Sequence, residues 1–349
     1  RETQAFGLAV PNGIISETGV AGLTLGGGFG WTTRRFGYTS DNLLAADVVT
    51  ADGELRTASA AQNADLFWGL RGGGGNFGVV TSFTFRAHQV GPEVLGGMLV
   101  YPMRRAREVV DAFRALTENA PDELSSLLVL RRAPPAPALP EAIHGEPVAI
   151  VAICWTGPVE TGEFHLEPLR RLGEPSADLI GRKPFRAIQS MLDAASPHGR
   201  QYYWKSDYFD VLPDRAVEVL IEHAGAVTSP QSAVLLMHLG GAANRLPEEH
   251  SAAGPRDIRY VLNVQGSWLD SAENATHIRW VRDYWQAMRP FASGRAYMNF
   301  FTADEDGDRL REAYGNATLS TLTRLKALYD PCNLFRLNHN VEPASVDNA

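Results

Sequence analysis

The stretch "ETGVAGLTLGGGFGWTTRRFGY", residues 17–38, places seven glycines in 22 positions and lies almost at the start of the chain. Glycine at this density lets backbone come very close to something else. Gly26, Gly27, Gly28 and Gly30 leave four of five positions without side chains. A large flat ligand or a pyrophosphate fits against such backbone; a strained hairpin packed on neighbouring strands is the other reading. A second cluster, "RGGGGNFG" at 71–78, offers successive unhindered N–H groups, suited to an anion-binding nest or to a tight turn. Its Gly73-x-Gly75-x-x-Gly78 spacing imitates a dinucleotide fingerprint, which needs a strand before the glycines and a helix after them. Here "ADLFWGL" before it reads as helix and "GVVTSFTF" after it as strand, and no Walker lysine follows. Two glycine clusters so close together favour a ligand more than either does alone.

The 349 residues, 44% hydrophobic and 21% charged, suffice for two domains with large cores. Net charge is −8, and basic residues occur in pairs such as Arg34-Arg35, Arg104-Arg105 and Arg131-Arg132 rather than in runs. That argues against nucleic acid or an anionic membrane as a partner. Cys154 and Cys332 make neither a CxxC pair nor a disulfide scaffold, which leaves the compartment open. No apolar run approaches the ~20 residues of a membrane span. His198, His238, His250 and His339 lack metal-ligand spacing, so no metal site is expected.

Residues 43–59, "LLAADVVTADGELRTAS", read as strand, Asp52-Gly53 turn and strand. Residues 63–91 read as a short helix, a glycine turn and a strand with Val79, Thr81, Phe83 and Phe85 on one side. Beyond residue 91 the character changes. Ala106, Val109, Val110, Phe113 and Leu116 share one helical face. "VLGGMLVY", "ELSSLLVLR", "PVAIVAICW", "RQYYWKSDYF", "SAVLLMHLGG" and "RDIRYVLNVQGSWLD" read as successive strands, with helices near 163–173, 213–224 and 273–289. This is an α+β pattern, an antiparallel sheet with helices over one face, and not a doubly wound nucleotide fold. The tail adds an expected strand "RAYMNFFT", a helix near 308–329 and "YDPCNLFRLNHNVEP", where Asn338 and Asn340 serve as caps or as amides facing a heterocycle.

Together, "GVAGLTLGGGFGWTTRRFGYTSDNLLAADVVTADGE", "DLFWGLRGGGGNFGVVTSFTF", "GRQYYWKSDYF", "AYMNFF" and "YDPCNLFRLNHNVEP" resemble the FAD-linked oxidases of the vanillyl-alcohol-oxidase superfamily, and within it the bacterial berberine-bridge-like oxidoreductases. The resemblance implies a partial PCMH-type FAD-binding portion at 1–91, a substrate-binding α+β domain at 92–325 and a terminal segment, 326–349, returning to the FAD domain. It implies flavin contacts at Gly19, Val20, Ala21 and Gly22, at Gly74, Gly75, Asn76 and Gly78 with Val79 and Val80, and at Asn338 and Asn340. Family members are longer, with a first FAD subdomain ahead of the point where this chain begins. That subdomain carries the histidine for a covalent histidyl link, and it is the expected partner within the same protein.

Two further departures bear on chemistry. The position of the family's flavin-linking cysteine is Ile15 here, beside Ser16, so no cysteinyl link is expected. Where relatives have Tyr-x-Asn-Tyr, this chain has Tyr297-Met298-Asn299-Phe300, and a phenyl ring takes no proton. The implied activity is FAD-dependent oxidation: hydride moves from a C–H beside an O–H or N–H of a small organic substrate to flavin, with O2 as acceptor. Tyr203 and Tyr297, with Lys205 behind them, are the expected catalytic groups, and a tyrosine base would need its pKa lowered. Strand alternation puts Tyr203, Lys205 and Asp207 on one face and Tyr202 on the other. An apolar or aromatic substrate suits the chain slightly better than a sugar. A flavin dehydrogenase with another acceptor, or a binding protein if the chain is truly truncated, are the alternatives.

Overall fold

The structure, a computed structural model, describes residues 2–305 and 307–344. Residues 1–91 carry β1 (Leu8–Ala9), β2 (Leu43–Val49), β3 (Leu55–Ser59), β4 (Val79–Phe85) and β5 (His88–Gln89), with helices α1 (Val20–Leu25) and α2 (Ala64–Leu70). Strands β3, β2 and β4 form an antiparallel sheet in that order, and β1 pairs with β5. The β2–β3 hairpin turns at Gly53, where φ is 82°. Expected alternation along β4 breaks at a register shift that matches Asp47 to Ser82 and Val48 to Val80, skipping Thr81. Such a bulge turns following side chains to the opposite face. Val80, Phe83 and Phe85 therefore pack inward together, while Val79 is 57% exposed.

The second part is an eight-stranded antiparallel sheet. It consists of β6 (Glu93–Pro102), β7 (Leu124–Arg132), β8 (Pro147–Trp155), β9 (Ala177–Asp178), β10 (Gly181–Pro184), β11 (Gln201–Phe209), β12 (Ala233–His238) and β13 (Tyr260–Trp268). Its order is β10-β6-β8-β7-β12-β13-β11, with β9 also on β6. Helices α3 (Ala106–Glu118), α4 (Asp214–Gly225) and α5 (Asn274–Met288) cover one face. The apolar stripe of α3 is buried as its spacing requires: Ala106, Val109, Val110, Phe113 and Leu116. Each large member of that stripe contributes about 1.5–3 kcal/mol by leaving water.

Alternation divides every central strand between two cores. Leu128 and Leu130, Val234 and Leu236, and Leu262 and Val264 point to the helices. Leu127, Val129, Ala233, Met237 and Val261 point the other way, where Phe29, Trp31 and Tyr38 of the glycine-rich stretch complete the packing. A third core joins Leu66, Leu70 and Phe77 to Met298, Phe301, Leu322 and Leu325. Helix α6 (Gly307–Tyr329), broken at Gly315, thus packs on the first part, and a division placed at residue 325 falls inside it. Residues 345–349 of the expected terminal segment lie outside the described residues.

"RAYMNFFT" is not a strand. Met298–Phe300 form one 3₁₀ turn, closed by Phe300 N–H to Tyr297 C=O and Phe301 N–H to Met298 C=O. The backbone satisfies itself locally there, because the side chains of Tyr297 and Asn299 reach back to α1 and the loop after it instead of extending along a sheet.

Candidate functional site

The GGGFG run and the start of α1 have different fates. Gly26, Gly28 and Gly30 are buried against protein: an added Cβ would strike the Asn299 side chain, the Thr39 side chain and the Asn12 carbonyl respectively. The packed alternative holds for this run, which is the close approach that its glycines serve. Gly19 and Gly22 behave oppositely. A Cβ at either meets nothing within 4 Å, and Ser16 to Gly22 are all exposed. Both glycines line a cavity of about 650 Å³, together with Ile14, Ile15, Thr18 and Leu23.

The opposite wall of this cavity is part of the large sheet's other face, the one turned away from α3, α4 and α5. Register sets Arg131, Ala233, Gln265 and Trp204 in one row across β7, β12, β13 and β11. Val129, Leu235, Asn263 and Ser206 form the next row. Tyr202 joins Trp204 on this wall, and Phe29, Tyr297, Asn299 and Phe300 close the end between the walls.

Of the expected catalytic residues, Tyr297 is here. Its hydroxyl accepts from the Gly28 N–H at 3.0 Å and from Asn299 Nδ2 at 2.9 Å. Burial pushes its pKa well up, against those two donors, so its proton stays on at neutral pH. The lowered pKa that a tyrosine base requires is absent. Phe300 fills the next position edge-on to Tyr297 and Phe29, and its carbonyl accepts from Trp204 Nε1 at 2.9 Å.

Tyr203 and Lys205, the other two expected catalytic residues, do not line the cavity. Strand alternation sends them to the helix-covered face, away from the cavity, and the residue on the cavity side is Tyr202. Tyr203 donates to Asp304 at 2.6 Å and accepts from Arg282, and burial together with that carboxylate raises its pKa. Lys205 Nζ donates to Thr302, Asp304 and Glu305 at 3.1, 3.0 and 2.7 Å. Burial lowers its pKa, but the hydrogen bonds to Glu305 and Asp304 outweigh that and hold it above its usual value. The pair belongs to a charge network that anchors Thr302, Asp304 and Glu305 to β11, with Arg309 on Asp207. Sequence alternation had separated Tyr202 from Tyr203; which face meets the cavity is decided by where the helices pack.

The second glycine loop meets the terminal segment. Asn76 donates to the Gly73 and His339 carbonyls and accepts from the Val341 N–H, so its amide is spent inside the protein. Asn338 Nδ2 donates to the Gly75 carbonyl at 2.9 Å. Lys326 was not singled out from sequence. Fully buried, it donates to the Asn76 and Phe335 carbonyls and pairs with Asp330 at 2.6 Å. Its place four residues before Asp330 on a helix was the only available signal.

Residues 1–59 match the family described as FAD binding domain, and residues 296–342 match the family described as berberine and berberine like. An FAD-linked oxidoreductase of Dictyostelium discoideum is 31% identical over 348 residues, covering 98% of this chain and 72% of that protein. The chain belongs to the berberine-bridge-like FAD-linked oxidoreductases. A xylooligosaccharide oxidase of Thermothelomyces thermophilus is 29% identical across 97% of this chain and 70% of its own length. In fold, this oxidoreductase resembles 6-hydroxy-D-nicotine oxidase of Arthrobacter nicotinovorans with a TM-score of 0.83. That match has 24% identity and covers 98% of this chain and 75% of the other. The α+β fold with a PCMH-type FAD-binding part is thereby shared, and the protein is an enzyme.

The residues present fit a flavin on the α1 side of the cavity. The wall from Thr18 to Gly22 is bare backbone and short side chains, and in the terminal segment, outside the cavity lining, Asn340 Oδ1 is buried without a partner among the described residues. Among the described cavity-lining residues none is cysteine or histidine, and Ile15 is one of them. Burial pushes the Cys154 thiol up to about 12, which makes it inert. Among the described residues no helix is long and apolar enough to cross a membrane.

Proposed function

We propose that this oxidoreductase is an oxidase, taking hydride from a C–H next to an O–H or N–H of a small organic substrate held between the α1 wall and the sheet wall, with O2 as acceptor. The observation that carries this reading is the cavity itself, which has bare backbone on one side, aromatic and amide side chains on the other, and the Tyr297 hydroxyl between them. Bound FAD supplies the two-electron acceptor, and in an oxidase those electrons pass with two protons to O2, giving hydrogen peroxide.

Gly19, Val20, Ala21 and Gly22 give backbone approach to the flavin. Gly74, Gly75 and Gly78 shape the loop behind it, and Asn340 offers its unpaired oxygen. Asn76 acts by holding that loop to the terminal segment. Val79 and Val80, with Asn338, remain proposed contacts of the adenine half and of the ring edge. Tyr297, held by two donors, keeps its own proton and donates it as a hydrogen bond to the reacting oxygen or nitrogen of the substrate, fixing the C–H direction. No carboxylate, amine or imidazole lines the described wall, so the O–H or N–H proton leaves to water. A histidyl link to flavin is proposed only for chain outside this wall; precipitated protein that surrenders all its flavin rejects it. The division into 1–91, 92–325 and 326–349 stays a proposal.

The test is anaerobic mixing of the flavin-loaded protein with a panel of alcohols, amines and sugars, followed by admission of air. Bleaching of flavin absorbance, then its recovery with equimolar peroxide, is expected. Bleaching without recovery in air would make the enzyme a dehydrogenase with another acceptor, and no bleaching by any class would count against hydride transfer here.

A further inference from the structure

The sheet wall of the cavity carries one charge that the described residues do not balance. The buried arginines are matched by acceptors. Arg34 donates to the Leu124, Ala120 and Leu239 carbonyls, Arg256 grips both oxygens of Asp41 at 2.7 Å, and Arg309 meets Asp207. Arg131 differs. Its Nε donates to the neighbouring Arg132 carbonyl at 3.0 Å, and among the described residues no carboxylate forms an ion pair with it. Burial and the charge of Arg200 both pull its pKa down, so its surroundings disfavour the cation rather than support it. Among the described residues, every other one that lines the cavity is uncharged at neutral pH. A half-buried guanidinium with spare donors facing a cavity is matched by an anionic ligand group, preferably a planar bidentate one.

The surroundings describe the rest of the ligand. In the same row as Arg131 stand Gln265 and Trp204, and in the next row Asn263 has a buried Oδ1 with no partner among the described residues. An unpaired buried acceptor calls for a donor, such as a hydroxyl or N–H. Val129, Leu235, Leu192, Phe29 and Phe300 make much of the remaining surface apolar, interrupted by Thr18, Ser196 and Tyr202 and by Asn299 beside Tyr297. A neutral sugar would cover this surface and leave Arg131 desolvated without a counter-charge, which is costly.

We propose that the substrate is an organic acid: an apolar or aromatic body whose carboxylate sits on Arg131 and whose hydroxyl or N–H reaches Asn263. This rests on the oxidase reading only for which end of the molecule reacts, namely the end nearest Tyr297. Arg131 is a specificity-determining residue on the far end.

The experiment uses the full-length flavin-loaded protein and matched pairs of probes: phenylacetate, 3-phenylpropanoate, indole-3-acetate, 2-naphthoate and octanoate, each against its carboxamide. Affinities are read by calorimetry and thermal shift, with flavin absorbance followed in the same samples. The acids are expected to bind about 10- to 100-fold more tightly than their amides. Arg131→Gln removes that preference while amide affinity stays, and Arg131→Lys keeps part of it. The proposal is overturned if no acid outbinds its amide, or if the preference survives in Arg131→Gln. Should Arg131→Gln fail to fold, the acid-to-amide ratio in wild type and in Arg131→Lys still decides. Acids that bind by this rule while no probe or alcohol ever bleaches flavin would reject the oxidase reading and leave this one standing. A neutral substrate that bleaches flavin equally fast in wild type and Arg131→Gln would do the reverse.

Discussion

Tyr297 and Tyr203 show how much a few ångströms of placement decide for one residue type. Tyr297 stands at the meeting of the two walls with its oxygen held by the Gly28 N–H and Asn299. Tyr297→Phe should slow flavin reduction about 100-fold, measured by anaerobic stopped flow, because a preorganised donor is lost. It should also cost about 1–3 kcal/mol of stability, since two buried donors lose their acceptor. Tyr203→Phe should leave the reduction rate within a few-fold of wild type. Tyr202→Phe and Trp204→Ala should raise KM instead. Equal kinetic damage from Tyr203→Phe and Tyr202→Phe would contradict the assignment of faces. The pair Tyr202 and Tyr203 was legible from sequence as a pair on opposite faces. The choice between them was not, because alternation has no sign until another element covers one side.

Elements here are held at their ends by buried charges that no motif announces. Lys326, near the end of α6, ties the Asn76 carbonyl to Asp330 and to Phe335, and so joins the second glycine loop to the terminal segment. Lys326→Met leaves the buried Asp330 carboxylate without its counter-charge, though it still accepts from the Leu334 and Phe335 N–H groups, and should cost about 3–5 kcal/mol in urea unfolding. Lys326→Met with Asp330→Asn should recover part of that loss, since a neutral amide oxygen still accepts from the Leu334 or Phe335 N–H. Flavin retention should fall in the single variant, since Asn338 and Asn340 follow this joint. At the end of β12, His238 accepts from Arg34, and burial together with that charge pushes its pKa down to about 2. An unfolded chain takes up this proton near the ordinary value of about 6.5 and the folded chain does not. More protons on the unfolded state mean that stability falls as pH drops below that value, by up to about 1.4 kcal/mol per unit. His238→Gln should flatten urea stability between pH 6.5 and 5 relative to wild type. An unchanged slope would mean that the imidazole is not held neutral.

Across the whole molecule, the glycine-rich part and the large sheet are one packed body. Arg34 reaches carbonyls at 120, 124 and 239, Arg256 grips Asp41, and the core beneath the cavity mixes Phe29, Trp31 and Tyr38 with sheet residues. Gly72, with φ of 132°, lies directly against the Ala252–Ala253 backbone. Gly72→Ala should therefore displace one part from the other, lowering the melting temperature by several degrees and weakening flavin retention. A Gly19→Ala substitution meets no atom, so it should leave melting unchanged and act only on flavin affinity. Comparing the two by thermal shift with and without added FAD separates a glycine needed for packing from one needed for a ligand.

The sequence by itself determined the element types, the α+β class, the antiparallel sheet and its helical cover, because periods of 2 and 3.6 residues are local properties of the chain. It also carried the family, through glycine, aromatic and asparagine positions in order. Only the tertiary structure decided what each glycine is for: Gly26, Gly28 and Gly30 receive protein, whereas Gly19 and Gly22 face open space. Likewise it decided that Tyr202 and not Tyr203 meets the cavity, that Met298–Phe300 is a turn, and that Arg131 stands without a counter-charge among the described residues. Those facts depend on what approaches a residue from elsewhere in the chain, and a local pattern holds no record of that.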